Sequence, residues 1–170
     1  MSRIYLWTGE GAGKTTSALG VALRALGHGK KVIVIQWLKG RKNIGEYKIS
    51  KKLKNFKIYQ FGQKKFIDLK NPSEKDFKLA KDAINFTIKI SKKEKPFLLI
   101  LDELALAHAI GLVNLQDIKN IISNTSKNTI IYITGRYAKK SLIQLADFVN
   151  EIKIIKIPKK LPKAIKGIEY

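Results

Sequence analysis

Short apolar runs alternate along this chain with segments in which apolar residues return every three or four positions. The first run, Arg3–Trp7 (RIYLW), predicts a strand, and Lys14 to about His28 predicts a helix closed by Gly27 and Gly29. Lys31–Gln36 (KVIVIQ) is a β-branched run suited to a strand covered on both faces, and Phe56–Phe61 reads as a weaker strand. Ser73, just after Asn71-Pro72, predicts the cap of an amphipathic helix that runs to about Ser91. Pro96–Asp102 (PFLLILD) is the most apolar strand, and Asn128–Thr134 (NTIIYIT) predicts another buried one. An Ala-rich helical stretch (LALAHAIGL) carries His108, and a further helix is predicted over Lys139–Ala146. Lysines alternate through Phe148–Ile157, which predicts a last strand nearer an edge. Such alternation implies an α/β fold, a mostly parallel sheet with helices on both faces. No repeat or linker divides residues 1–170, so a single domain is expected.

Ligands of parallel sheets bind beyond the carboxyl ends of the strands, and that rule sorts the polar residues. Thr8–Thr15, Gln36–Gly40, Asp102-Glu103 and Thr134-Gly135-Arg136 each follow a predicted strand and should converge on one cleft. The first group continues as Gly9-Glu10-Gly11-Ala12-Gly13-Lys14-Thr15-Thr16 between strand and helix, the signature of a phosphate cradle. Glycines let backbone N–H groups turn toward an anion, and the helix adds its positive end. Lys14 supplies a charge for phosphate oxygens, and the Thr15 hydroxyl can ligate Mg²⁺. The fold class expected is therefore the P-loop NTPase (RecA-like) type. The loop is one residue short, because the usual spacing puts its first glycine where Thr8 stands. A tolerated deletion and an unusual triphosphate pose both fit this shortening. Asp102-Glu103 after four apolar residues matches the acidic partner of such a loop, although Asp102 could instead cap the helix that follows.

Composition narrows the chemistry. The chain of 170 residues has no cysteine, which excludes disulfides, thiolate metal sites and cysteine nucleophiles. Its two histidines, His28 and His108, are far apart in sequence, which removes a histidine metal cluster. His28 reads as a helix terminus and His108 as a core-edge residue. The absence of a secretory pattern or a membrane-length apolar run leads to the expectation of a cytoplasmic protein with no membrane partner. The net charge is +21, and lysine supplies it almost alone, the arginines being Arg3, Arg24, Arg41 and Arg136. Readers of base edges favour arginine and interleaved aromatics, so a solvated basic surface is expected and no specific nucleic-acid partner.

Over nearly its whole length the chain resembles the P-loop class of ATP:corrinoid adenosyltransferases. The resemblance rests on the shortened loop Gly9–Thr16, Arg24 followed by Gly27-His28-Gly29-Lys30, and Gln36-Trp37-Leu38-Lys39-Gly40. It continues through Gly45-Glu46, Leu101-Asp102-Glu103-Leu104 and Thr134-Gly135-Arg136. It closes with Ala146-Asp147, Val149, Glu151 and Gly167-Ile168-Glu169-Tyr170. The family implies transfer of the 5′-deoxyadenosyl group of ATP to the cobalt of a reduced corrinoid, with triphosphate released. ATP then binds with its triphosphate reversed in the short loop. Gly9–Thr16 as a whole becomes the ATP site, with Glu10 near the sugar or the cleft mouth. The resemblance makes Lys14, Thr15 and Arg24 triphosphate ligands, and gives Thr15 and Glu103 the metal ion, Mg²⁺. It also suggests a homodimer and a flavoprotein electron donor.

Two departures bear on activity. Ala12 stands where the family usually has a lysine, and Asp68 lies near the slot of an expected tryptophan. Phe66 matches an aromatic that lines the corrinoid face, with simple core packing as the alternative. By spacing alone, Arg24 reads equally well as a surface or structural residue. Two other functions stay open at this level: a RecA-like or nucleic-acid-associated ATPase, and a nucleotide-binding regulator without catalysis.

Overall fold

The computed structural model describes residues 2–160 and 162–170. Six parallel strands form one sheet in the order β3-β2-β4-β5-β1-β6. They are β1 (Ile4–Thr8), β2 (Val32–Trp37), β3 (Phe56–Phe61), β4 (Leu98–Asp102), β5 (Ile130–Thr134) and β6 (Phe148–Glu151). Between them run α1 (Lys14–Gly27), α2 (Gly45–Ser50), α3 (Glu74–Glu94), α4 (Leu104–Ala109), α5 (Leu115–Ser123) and α6 (Lys140–Leu145).

Strand alternation divides the core into two layers. Val32, Val34, Leu98, Ile100 and Tyr132 face the alanines of α1, Ala18, Ala22 and Ala25. Their neighbours Ile33, Ile35, Leu99, Leu101 and Ile133 face the opposite way, toward residues of α3 to α6. Both faces are thus covered, which is why the central strands read as continuous apolar runs. The small alanines let α1 lie close against the sheet, and its first turn reaches the end of β4 through Thr15 and Asp102.

The structure lengthens one predicted element and shortens another. Helix α3 runs on to Glu94; it starts where expected, with Ser73 and Asp76 exchanging side-chain-to-backbone bonds as a capping box. Strand β6 is an edge strand, as expected for this segment, but it ends at Glu151 instead of Ile157, and the lysines that suggested the edge lie beyond it. The reason lies in the next residue. Ile152 accepts a hydrogen bond from the Gly11 N–H (2.8 Å) and donates to the Thr8 carbonyl (2.9 Å), which turns the chain onto the glycine loop. Helices α2 and α5 are additions to the sequence reading. For α5 the signal was present: Asn114 and Asp117 form a reciprocal cap (2.8 and 3.0 Å) ahead of buried Ile118 and Ile121.

Candidate active site

The register of the sheet builds the floor of the cleft. Gln36 pairs with Gln60 on one side and with Asp102 on the other. Since Leu101 pairs with Ile133, Thr134 follows opposite Asp102. All lie on the α1 face at the carboxyl ends of their strands, and they bond along the row. Gln60 donates to Gln36 Oε1 (2.9 Å), Gln36 to Asp102 Oδ2 (3.1 Å), and Thr134 to Asp102 Oδ1 (2.6 Å). From above, the Thr15 hydroxyl donates to Asp102 Oδ1 (2.9 Å), and the Lys39 ammonium reaches Asp102 Oδ2 (2.6 Å). Asp102 is fully buried and receives four side-chain donors.

Electrostatics follow this geometry. Burial opposes the Asp102 charge, but the Lys39 charge and the donors outweigh it and hold the carboxyl below its ordinary range. Burial likewise opposes the Lys39 ammonium, yet Asp102, then Glu103 and Glu46, raise its pKa above the ordinary value. The two groups are an ion pair with satisfied partners. Asp102 is not a helix cap; the residue before α4 is Glu103, which makes no side-chain capping bond.

Glu103 is the opposite case. Its backbone sits in the left-handed region (φ 62°), fixed by an N–H bond to Thr134 Oγ1 (3.0 Å). Its Oε2 is buried and has no hydrogen-bond partner. Burial, and then the charge of Asp102, push its pKa up, while Lys39, Lys14 and Arg136 pull the other way. A buried carboxylate oxygen without a partner beside three cationic residues is available to an outside ligand.

The glycine loop holds Lys14 over this floor. Lys14 is buried, its Nζ donates to the Gly11 carbonyl (2.5 Å), and burial, followed by the Arg136 charge, lowers its pKa. Helix α1 opens at Lys14 with Gly13 before it at φ 106°, so the first N–H groups of the helix have no intrahelical partner. One N–H of the glycine loop is already committed within the protein. The Gly11 N–H is used by Ile152, and a Cβ on Gly9 or Gly11 would collide with Ile152. Those two glycines serve the close approach of the chain after β6. Glu10 is exposed beside the loop, Ala12 is exposed, and Thr16 Oγ1 bonds back to the Gly13 carbonyl (3.1 Å).

Next to Lys39 opens a cavity of about 200 Å³ whose lining includes Lys39, Arg41, Ile44, Glu46, Phe66 and Tyr170. Phe66 is 89% exposed, so the core-packing alternative does not hold. The Arg41 guanidinium lies 4.6 Å from its ring centroid. Asp68 is part of the chain's local structure: its carboxylate accepts from the N–H groups of Lys70 (2.9 Å) and Asn71 (3.3 Å). Arg24 is not brought to the loop. It lies ten residues along α1, roughly 15 Å down the axis, and lines a separate cavity with Val21, Ala25, His28, Lys30 and Phe97. His108 is buried, as expected of a core-edge histidine, with Nδ1 2.8 Å from the Val113 carbonyl oxygen.

Oxygen donors of this kind suit Mg²⁺, which binds few protein ligands and takes the rest from phosphate and water. Among the described residues there is no group of three or more His, Cys, Asp or Glu side chains placed to hold a metal by themselves. Thr15 and the unpartnered Glu103 oxygen therefore fit such an ion only together with a phosphate ligand. Of the residues gathered here, Lys39, Gln36, Thr134 and Arg136 were placed at the cleft by the strand-end rule but given no role. What the sequence lacked was the register that converges Gln36, Lys39 and Thr134 on Asp102, with the Arg136 charge acting on Lys14 and Glu103.

Comparison with known proteins gives a consistent result. The family model described as ATP:corrinoid adenosyltransferase BtuR/CobO/CobP matches residues 1–170. The chain is 31% identical over 168 residues to the corrinoid adenosyltransferase of Pseudomonas aeruginosa, covering 98% of this chain and 83% of that protein. It is 30% identical over 154 residues to the corrinoid adenosyltransferase of Escherichia coli, covering 90% of this chain and 77% of the other. The corresponding protein of Salmonella typhimurium, named Corrinoid adenosyltransferase CobA, is also 30% identical at the same coverages.

Proposed function

The chain belongs to the ATP:corrinoid adenosyltransferase family, and from that premise we propose how its own residues carry the transfer. The reaction joins the ribose 5′-carbon of ATP to the cobalt of a reduced corrinoid and expels triphosphate. Family membership favours this transferase over a RecA-like ATPase. The arrangement of Asp102 and Glu103 supports the residue assignment best: two adjacent carboxylates, one bonded to four side chains, the other with a buried oxygen that has no partner and feels the charges of Lys39, Lys14 and Arg136.

Reduced cobalt is a strong nucleophile, so the protein has little proton transfer to perform. Its work is to place the 5′-carbon in line with cobalt and to stabilise charge on the departing triphosphate. Lys14 and the N–H groups that open α1 bind phosphate oxygens, within the ATP site of Gly9–Thr16. A Mg²⁺ ion held by Thr15 and Glu103 would neutralise further charge on the triphosphate. Asp102 orients the Thr15 hydroxyl by accepting its hydrogen bond, which turns the oxygen lone pairs outward. Phe66 supplies an apolar wall for the corrinoid at the mouth of the neighbouring cavity. The distance of Arg24 from the loop gives its implied triphosphate role no support, and we assign it none.

No helix among the described residues is long and apolar enough to cross a membrane. We further propose a cytoplasmic, single-domain enzyme that acts as a homodimer. Its lysine-rich surface suits docking of an acidic flavoprotein that reduces the corrinoid. The test is an anaerobic assay with chemically reduced cobalamin, ATP and Mg²⁺. Appearance of the light-sensitive cobalt–carbon product in the spectrum is expected; no product from several corrinoids, in protein that binds ATP, would reject the reading.

A further inference from the structure

Lys39 occupies a position that its ion pair with Asp102 does not fully explain. Its Nζ also lies 3.0 Å from Thr15 Oγ1. The Thr15 hydroxyl spends its proton on Asp102, so what it offers Lys39 is a lone pair. A lone pair on this oxygen is also what a divalent ion would use. The ammonium therefore stands where a cation belongs, between the Thr15 oxygen and a buried carboxylate.

We propose that Lys39 is a resident cation which holds the metal position until Mg²⁺ arrives with ATP, and then swings its ammonium into the cavity beside Phe66. The inference rests on the reading of Thr15 as a metal ligand. An ammonium and a divalent cation repel strongly when they share one oxygen, so binding of the ion displaces the lysine. The backbone on either side cannot follow. The Leu38 N–H is tied to the Phe61 carbonyl (3.1 Å), a Cβ on Gly40 would collide with the Gly62 carbonyl, and a Cβ on Gly62 would collide with the backbone of Leu38 and Lys39. Movement is thus confined to the side chain, which is 26% exposed and already lines the cavity. Glu46, in the same lining, provides a carboxylate at the outer position. The displacement would link the two halves of the site: the metal and ATP settle, and a positive charge enters the pocket next to the corrinoid wall. Lys39 is in this account a positioning residue, acting through Thr15 and Asp102.

The probe is Mn²⁺, titrated without nucleotide and then with ATP, and read by the electron paramagnetic resonance of the free ion. Lys39→Met removes the competing cation and should tighten Mn²⁺ binding by roughly tenfold or more, the value of a charge-assisted contact that no longer has to be displaced. A purely structural lysine would leave Mn²⁺ affinity unchanged or lower it on substitution, and that result overturns the proposal. Because Lys39→Met leaves Asp102 unpaired and can fail to fold, a second measurement uses the parent protein. In a crystal structure with Mg²⁺ and a non-reactive ATP analogue, Nζ should have left Thr15 and Asp102 for the cavity; Nζ still bonded to Asp102 with Mg²⁺ on Thr15 overturns the displacement alone. If the parent does not bind ATP with the metal at all, the displacement and the functional reading fail together.

Discussion

On the side of the cleft under the glycine loop, Asp102 has lost all its exposed surface and collects four side-chain donors; on the far side, Phe66 keeps 89% of its surface in solvent. The first wall is made of groups that bond to one another around Asp102, so removing Asp102 strands its four donors. The second is made of an aromatic ring, a guanidinium above it and an open cavity, and it has few internal obligations. Glu103 lies between the two plans, buried like the first wall and unpartnered like the second. The contrast teaches where stability and function separate. Substitutions in the inner wall should cost stability first, and substitutions in the outer wall should change binding alone.

The largest effect should come from Asp102→Asn, which leaves the Lys39 ammonium mostly buried without a counter-charge. A loss of about 3 kcal/mol is expected, read as a lower urea midpoint at unchanged slope. The pH range of this loss follows from the shifts. Asp102 is depressed, so its contribution is present above the unfolded value and lost as pH falls through the folded one; Lys39 is raised, so its contribution is present below the unfolded value and lost as pH rises through the folded one. The difference between parent and variant should therefore be flat between roughly pH 4 and 10. A variant as stable as the parent would break the comparison.

Lys14→Ala comes next. It removes a charged phosphate contact worth roughly 1.5–3 kcal/mol, so ATP affinity measured by calorimetry should fall at least ~10-fold. Unchanged affinity in a folded variant would detach Lys14 from the proposed site.

Glu103→Gln sharpens the middle term. The folded pKa of Glu103 is raised, so its ionised form costs stability above the unfolded value, and that cost vanishes at lower pH. The variant should melt higher than the parent at neutral pH, with the gain fading toward about pH 4. Metal-dependent activity should fall by about tenfold or more through the lost charge contact. A variant that gains no stability and keeps full Mg²⁺ dependence would mean that the ligand was assigned to the wrong carboxylate.

Much of the inner wall was legible because each of its residues follows a strand, and strand ends in a parallel sheet face one cleft. The cradle Gly9–Thr16 and the pair Asp102-Glu103 are local patterns, and they appear where the chain order puts them. The division of labour between the two carboxylates was not legible, since it depends on which strand lies opposite which. Nor was the use of Gly11: its partner Ile152 lies far along the chain, in a stretch that continues the alternation of a strand. Phe66 shows the opposite limit. An aromatic in a polar segment reads alike as core or as surface, and only the fold placed it outside.

The smallest effect is predicted for that outer wall. Phe66→Ala should leave the melting temperature and ATP affinity unchanged, and raise the KM for the corrinoid through a loss of about 1 kcal/mol of aromatic contact. A large fall in stability would return Phe66 to the core and erase the contrast between the walls.

On the proposed function, this phosphate cradle directs chemistry to the 5′-carbon of ATP and leaves the phosphate chain whole. Phosphorus NMR of an anaerobic reaction with reduced cobalamin measures this directly. One intact triphosphate is expected for each cobalt–carbon bond formed, with no product ADP. ADP and orthophosphate in place of triphosphate would contradict that function.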